Sequence, residues 1–169
     1  HGYVEATTSE LRGGRVSFDL NTVNGTQNVM MAAARASGET LIENAAREPE
    51  VVELAEMLIA MGAIIEGAGT DRIRVPGVEA LHGVDHAVSG DRIEAGTMMA
   101  AAIVTRGDVM VHGVDPSTLE STVEKLREVG CEIEVGVDCI RVQMEGPIRA
   151  VRAVTAPFPG YPTDMQAQL

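Results

Sequence analysis

The chain carries one pattern twice. Met30-Met31-Ala32-Ala33-Ala34 falls on Met98-Met99-Ala100-Ala101-Ala102. The same displacement puts Val51 on Leu119, Ala55 on Val123, Leu58 on Leu126, Met61 on Val129, Gly62 on Gly130 and Ile65 on Ile133. Gly38 and Pro49 find Gly107 and Pro116 after slips of one residue. Short apolar matches arise by chance singly, but a shared displacement does not. Such a chain must fold as one supersecondary unit used twice, each copy burying the face its neighbours leave open.

The unit can be read from its periods. Val16, Phe18 and Leu20 alternate over 15–20 and predict a strand. Cap-type residues at 22–26 open an Ala/Met-rich helix that runs to about Ser37, where Gly38 stops it. A short strand follows over 39–44. Pro49 suits the first turn of a second helix, with Glu48 and Glu50 at its positive end. Val51, Leu54, Ala55, Leu58 and Met61 give that helix one apolar stripe, and Gly62 ends it. Residues 63–66 and 72–75 then form a hairpin around Gly67-Ala68-Gly69-Thr70-Asp71.

The second copy predicts a strand over 86–89, a helix over 91–106, a strand over 109–112, a helix over 116–129 and a hairpin pairing 131–135 with 139–144. Each unit is therefore β-α-β-α-β-β, an α/β class. Residues 2–7 read as the last strand of a preceding unit. Residues 150–169 read as the first strand and helix start of a following one, so both ends look cut from a longer series. The start at His1, without Met, agrees with this. Residues 76–86 are less periodic and are the candidate linker.

Composition narrows the partners. Thirteen Lys and Arg against 25 Asp and Glu give a net charge of −12. That balance argues against a nucleic-acid clamp, which needs a basic stripe, and against a membrane-surface helix. No apolar run is long enough to cross a bilayer, and no secretion signal opens the chain. The four aromatic residues, Tyr3, Phe18, Phe158 and Tyr161, lie near the two ends, so the middle packs with aliphatic residues, Ala and Met. Cys131 and Cys139 read as reduced thiols at packing positions of the closing hairpin. His1, His82, His86 and His112 lack metal-ligand spacing, and no metal site is expected. Met30-Met31 and Met98-Met99 read as core fillers.

Four stretches stand in order: Glu43-Asn44-Ala45-Ala46-Arg47-Glu48-Pro49-Glu50, Gly69-Thr70-Asp71-Arg72-Ile73, Asp91-Arg92-Ile93-Glu94-Ala95-Gly96-Thr97 and Pro162-Thr163-Asp164-Met165-Gln166-Ala167-Gln168. With them, essentially the whole chain resembles an internal stretch of the bacterial UDP-N-acetylglucosamine enolpyruvyl transferases. The resemblance implies the enolpyruvyl transferase fold, an inside-out α/β barrel of six β-α-β-α-β-β units in two lobes. The chain would supply two whole units and partial units at each end. Residues 1–88 would end one lobe and residues 89–169 would start the other.

The implied activity is transfer of the enolpyruvyl group of phosphoenolpyruvate to the 3′-hydroxyl of UDP-N-acetylglucosamine. Phosphate leaves by addition and elimination. This is an early cytoplasmic step of peptidoglycan synthesis, tied to cell shape and division. No organic cofactor, nucleic acid or membrane partner is implied.

Both implied substrates are anions, yet the chain is acidic. Helix starts at 22–26, 91–92 and 163–164 hold equivalent places in the repeat, and free N–H groups there suit phosphate or carboxylate. Their convergence on one cleft is an implication of the resemblance. So are the roles that follow. Asp164 matches the catalytic aspartate, which takes the proton of the attacking hydroxyl; from its own surroundings alone it reads first as a helix cap, and the motif match turns that to catalysis. Leu20, Asn21, Thr22 and Val23 match the stretch that contacts the nucleotide, although Asn24-Gly25-Thr26 departs from some members. Glu48, Asp91 and Arg92 match cleft residues, against a plain reading as helix-end charges.

The family's loop cysteine, a proton donor, is neither Cys131 nor Cys139. It falls outside this chain with several other site residues, so the chain alone is expected to be inactive. Two rival readings stand. One is an enolpyruvylshikimate-phosphate synthase-like enzyme, against which the Arg47–Glu50 and Pro162–Gln168 stretches speak. The other is a non-catalytic repeat module. Open strand edges at both cuts predict self-association.

Overall fold

The computed structural model describes residues 2–169; His1 lies outside them. The chain divides into two compact units, one ending at His86 and the other running Ala87–Leu169.

The first unit contains β1 (Arg15–Ser17), α1 (Val23–Ala33), β2 (Glu39–Glu43), α2 (Pro49–Ala60) and β3 (Arg72–Pro76). β2 lies in the middle of its sheet, parallel to β1 and antiparallel to β3. Alternation decides which face is covered. Thr40 and Ile42 of β2 and Ile73 and Val75 of β3 point inward, and Val16, Ile42 and Ile73 form one cross-strand row. Met30 and Ala33 of α1, Ala34 just after it, and Val51, Ala55 and Leu58 of α2 cover that face. With small alanines at the contacts, the helix backbones close on the sheet without aromatic filler.

The outer face of this sheet is charged. The Glu43 carboxylate accepts hydrogen bonds from Arg15 Nε and from Arg72 Nη2, the latter at 2.8 Å. These bonds, the Arg15 bond first, hold Glu43 below the usual carboxylate range despite partial desolvation. A lowered folded pKa means that the contribution is complete above the unfolded value of about 4.5 and is lost as pH falls through the folded one. Glu43→Gln is therefore expected to lower Tm at pH 7. The gap from the parent should close on acidification below pH ~4.5, and thermal melts across pH 3–7 check it.

The second unit contains α3 (Arg92–Val104), β4 (Asp108–His112), a 3-10 turn (Pro116–Leu119) running into α4 (Glu120–Val129), β5 (Glu132–Val135), β6 (Cys139–Gln143) and a last 3-10 turn (Thr163–Met165). β6 is central, antiparallel to both β4 and β5. Met99, Ala102 and Ile103 pack with Leu119, Val123, Leu126, Ile140 and Val142. Arg141 bridges Asp108 and Glu134 on the outer face, as Glu43 joins Arg15 and Arg72 in the first unit. Cys131 is buried, its Sγ donating to Leu126 O at 3.0 Å, and burial pushes its thiol pKa up. Cys139 is half-buried at the start of β6.

The repeat survives in detail. α2 and α4 are followed by Gly62 and Gly130, at φ 103° and 110°, in the left-handed region where glycine carries no Cβ penalty. Each sheet shows three of the four strands the pattern calls for, and a different one is lacking. In the first unit, 63–66 contributes a single bridge, Glu66 to Arg74. Gly67 and Gly69, both at φ 82°, form the turn between the two stretches. In the second copy 86–89 forms no strand, and Val88 is exposed. Residues 2–7 are likewise not a strand; Tyr3 and Val4 are exposed and no ladder reaches them. The closing stretch offers only the bridge Thr155 to Tyr161 and one 3-10 turn. α1 stops at Ala33 because Arg35 and Ala36 bond three residues back, which tightens the last turn. The helix expected over 116–129 begins as a 3-10 turn, with Asp115 Oδ1 accepting from Ser117 N.

Candidate active-site segments

The expected site residues fall into two groups, one in each unit. In the first unit, Thr22 is the extended N-cap of α1, and its Oγ1 accepts from Gly25 N at 3.2 Å. Three side chains lace this helix start to the loop that opens α2. Asn21 Nδ2 donates to Ala45 O at 2.9 Å, and Gln27 Nε2 donates to Glu50 O at 3.1 Å. Thr26, fully buried, donates to Thr22 O and accepts from Ala46 N at 3.0 Å. The 20–23 stretch is thereby fixed against the 45–50 loop that carries Glu48. Glu48 is buried at the N-cap of α2 and makes no side-chain bond to that helix's amides. Val23 packs on the core, whereas Leu20 is 81% exposed.

In the second unit Asp91 caps α3: its Oδ1 accepts from Ile93 N at 2.7 Å and Glu94 N at 3.2 Å. Arg92 is buried, with its guanidinium over the Phe158 ring at 5.8 Å from the centroid, within cation–π range. Phe158 leads through Tyr161 to the turn that carries Asp164. Asp164 is exposed, and its carboxylate enters no hydrogen bond or ion pair among the described residues. Two open grooves, of about 470 and 480 Å³, run beside this segment. Ile103, Leu126, Arg149 and Gln168 line the first, Thr155, Tyr161 and Gln166 the second, and Asp164 lines neither.

The expected amide-rich helix starts are thus modified. Thr22 and Asp91 occupy part of their own helices' free amides, and the third start is a single 3-10 turn. Thr26 and Gln27 are not among the expected site residues, and the bridge that Asn21 makes to Ala45 is not part of its expected role. Their signal was polar side chains in the first turn of an apolar helix, which spacing alone does not direct toward a particular loop. Among the described residues no group of three His, Cys, Asp or Glu could hold a metal ion, and no helix is long and apolar enough to cross a membrane.

Two sheets backed by helices, built from one repeated module and carrying these motifs, define an enolpyruvyl transferase-type fold. The chain belongs to the EPSP synthase (3-phosphoshikimate 1-carboxyvinyltransferase) family, whose model matches residues 1–169. It is 53% identical over 168 residues to the UDP-N-acetylglucosamine 1-carboxyvinyltransferase of Geotalea daltonii, covering 99% of this chain and 40% of the relative. It is 52% identical over 169 residues to the protein of the same name from Acidobacterium capsulatum, covering 99% of this chain and 39% of that one. The chain thus spans about 40% of the length of these curated relatives. Among solved structures, the enolpyruvyl transferase NikO from Streptomyces tendae superposes with a TM-score of 0.81 at 22% identity, over 96% of this chain and 42% of that one. An EPSP synthase from Acinetobacter baumannii gives 0.55 at 22% identity, over 88% and 34%. The resemblance carried by the four motifs and the repeated-unit fold are both borne out.

Proposed function

We propose that the chain forms part of an enzyme that transfers the enolpyruvyl group of phosphoenolpyruvate to the 3′-hydroxyl of UDP-N-acetylglucosamine, with release of phosphate. The observation that carries this reading is the 53% identity to a protein of that name over nearly the whole chain, the Pro162–Gln168 motif included. In this reading Asp164 takes the proton of the sugar hydroxyl as it attacks the enolpyruvyl carbon. Its exposed carboxylate, without a protein partner among the described residues, supports that role. Leu20, Asn21, Thr22 and Val23 contact the nucleotide, and Glu48, Asp91 and Arg92 serve the cleft. Residues 1–88 close one lobe and residues 89–169 open the other. The enzyme acts in the cytoplasm at the first committed step of peptidoglycan synthesis, and through it in cell-wall biogenesis, cell shape and division. The isolated chain is inactive. It self-associates through strand edges such as that of β4, which has a ladder partner on one side only.

The test uses a polypeptide of the relatives' full length that carries this chain. Phosphate release from phosphoenolpyruvate is expected with UDP-N-acetylglucosamine and not with shikimate 3-phosphate. The opposite preference would move the assignment to the EPSP synthase reaction, and no uridine-nucleotide affinity at all would favour a non-catalytic module. In the same protein, Thr22→Val is expected to weaken uridine-nucleotide binding by about 10–100-fold, the worth of one hydrogen bond to a charged group. Unchanged affinity by calorimetry would remove Thr22 from the site.

A further inference from the structure

Gly96 sits in the fifth position of α3, among Ala and Met residues that favour a helix. Glycine is the least favourable helix-interior residue after proline, so its place there calls for a packing reason. A Cβ built on Gly96 would lie 2.8 Å from Met165 Cε, 2.9 Å from Met165 Sδ and 3.5 Å from Thr122 Cγ2. Met165 is fully buried, so its side chain fills a notch that exists because Gly96 has no side chain. Met165 is also the neighbour of Asp164. The two belong to one tight turn, closed by Met165 N to Pro162 O and Gln166 N to Thr163 O, both 3.1 Å. A re-seating of Met165 that reaches its backbone is shared with Asp164 through that turn.

Other contacts fix the same segment on both sides of the notch. Tyr161 Oη donates to Met165 O at 3.1 Å. Gln168 Nε2 donates to Oγ1 of Thr97, the residue after Gly96, at 3.0 Å. Ser121 Oγ, on α4, donates to Gly160 O at 3.2 Å. All of them hold the backbone or side chains around Asp164 and leave its carboxylate free to act.

We infer that Gly96 is a positioning residue: its missing side chain seats Met165, and Met165 sets where the Asp164 carboxylate stands. The inference rests on the proposed role of Asp164 as the base. A methyl group at Gly96 meets the end of the Met165 side chain, which must re-seat by roughly half an ångström to an ångström within a close-packed site. Misplacement of a reacting group on that scale costs turnover and not substrate affinity.

The experiment again uses a polypeptide of the relatives' full length carrying this chain. Gly96→Ala is expected to lower kcat by about 10–100-fold, with KM for UDP-N-acetylglucosamine and Tm close to the parent. Met165→Val lacks Sδ and Cε and so makes room for the added methyl. The double variant Gly96→Ala with Met165→Val is expected to regain the kcat of Met165→Val alone. A parental kcat in Gly96→Ala would overturn the inference. So would a loss that Met165→Val does not relieve, or one that follows a fall in Tm, since each means packing without positioning. Asp164→Asn, measured alongside, separates the two readings. If it loses turnover while Gly96→Ala keeps it, only the positioning role fails. If it keeps turnover, the base assignment fails and takes the positioning role with it.

Discussion

Asp164→Asn is expected to lower turnover by about 10²–10⁴-fold in a polypeptide of the relatives' full length, the range a positioned general base contributes. Asparagine keeps the size of aspartate but cannot take a proton. The turn that holds residue 164 is closed by backbone bonds and by Met165, neither of which involves the carboxylate. The substitution should therefore leave Tm near the parental value and UDP-N-acetylglucosamine binding largely intact. Steady-state phosphate release, a melt and a binding isotherm on one preparation separate these effects. Near-parental turnover would remove Asp164 from the chemistry.

Ile42→Ala is expected to destabilise the first unit by about 2–5 kcal/mol, the range for truncating a buried isoleucine. Ile42 is fully buried in the central strand, in the row Val16–Ile42–Ile73, with the helices above it. Its neighbours are themselves held by two ladders, so the space left behind closes poorly. The control is Met31→Ala on α1, where the side chain is 44% exposed and a change within about 0.5 kcal/mol is expected. Urea unfolding followed by far-UV circular dichroism measures both. A loss below 1 kcal/mol for Ile42→Ala would mean that this row is not the centre of the core.

The helices and their stops were legible because each signal is local. Thr22, Asp91, Pro49, Gly62 and Gly130 act within one turn of where they stand, and all five do what their residue types favour. Strands were legible only where a partner strand was at hand. β2, β3, β4 and β6 form, while 2–7 and 86–89 have comparable patterns and stay unpaired. A strand's stability comes from its neighbours' hydrogen bonds and packing, and those lie elsewhere in the chain. The motif residues of the proposed site were legible through resemblance, but their surroundings were not. Nothing in the sequence tells that Thr26 reaches Ala46 or that Gly96 faces Met165.

By itself, the sequence determined that one module is used twice, that each copy is a sheet covered by two helices, and roughly where those helices lie, with α1 ending about a turn before its expected stop. Period and capping are properties of neighbours along the chain. Only the tertiary structure decided which three of four strands each sheet assembles, that Asn21, Thr26 and Gln27 tie the start of α1 to residues 45–50, and that Asp164 stands out from a turn seated on a glycine. Those outcomes depend on groups far apart in sequence competing for the same hydrogen bonds and the same buried volume.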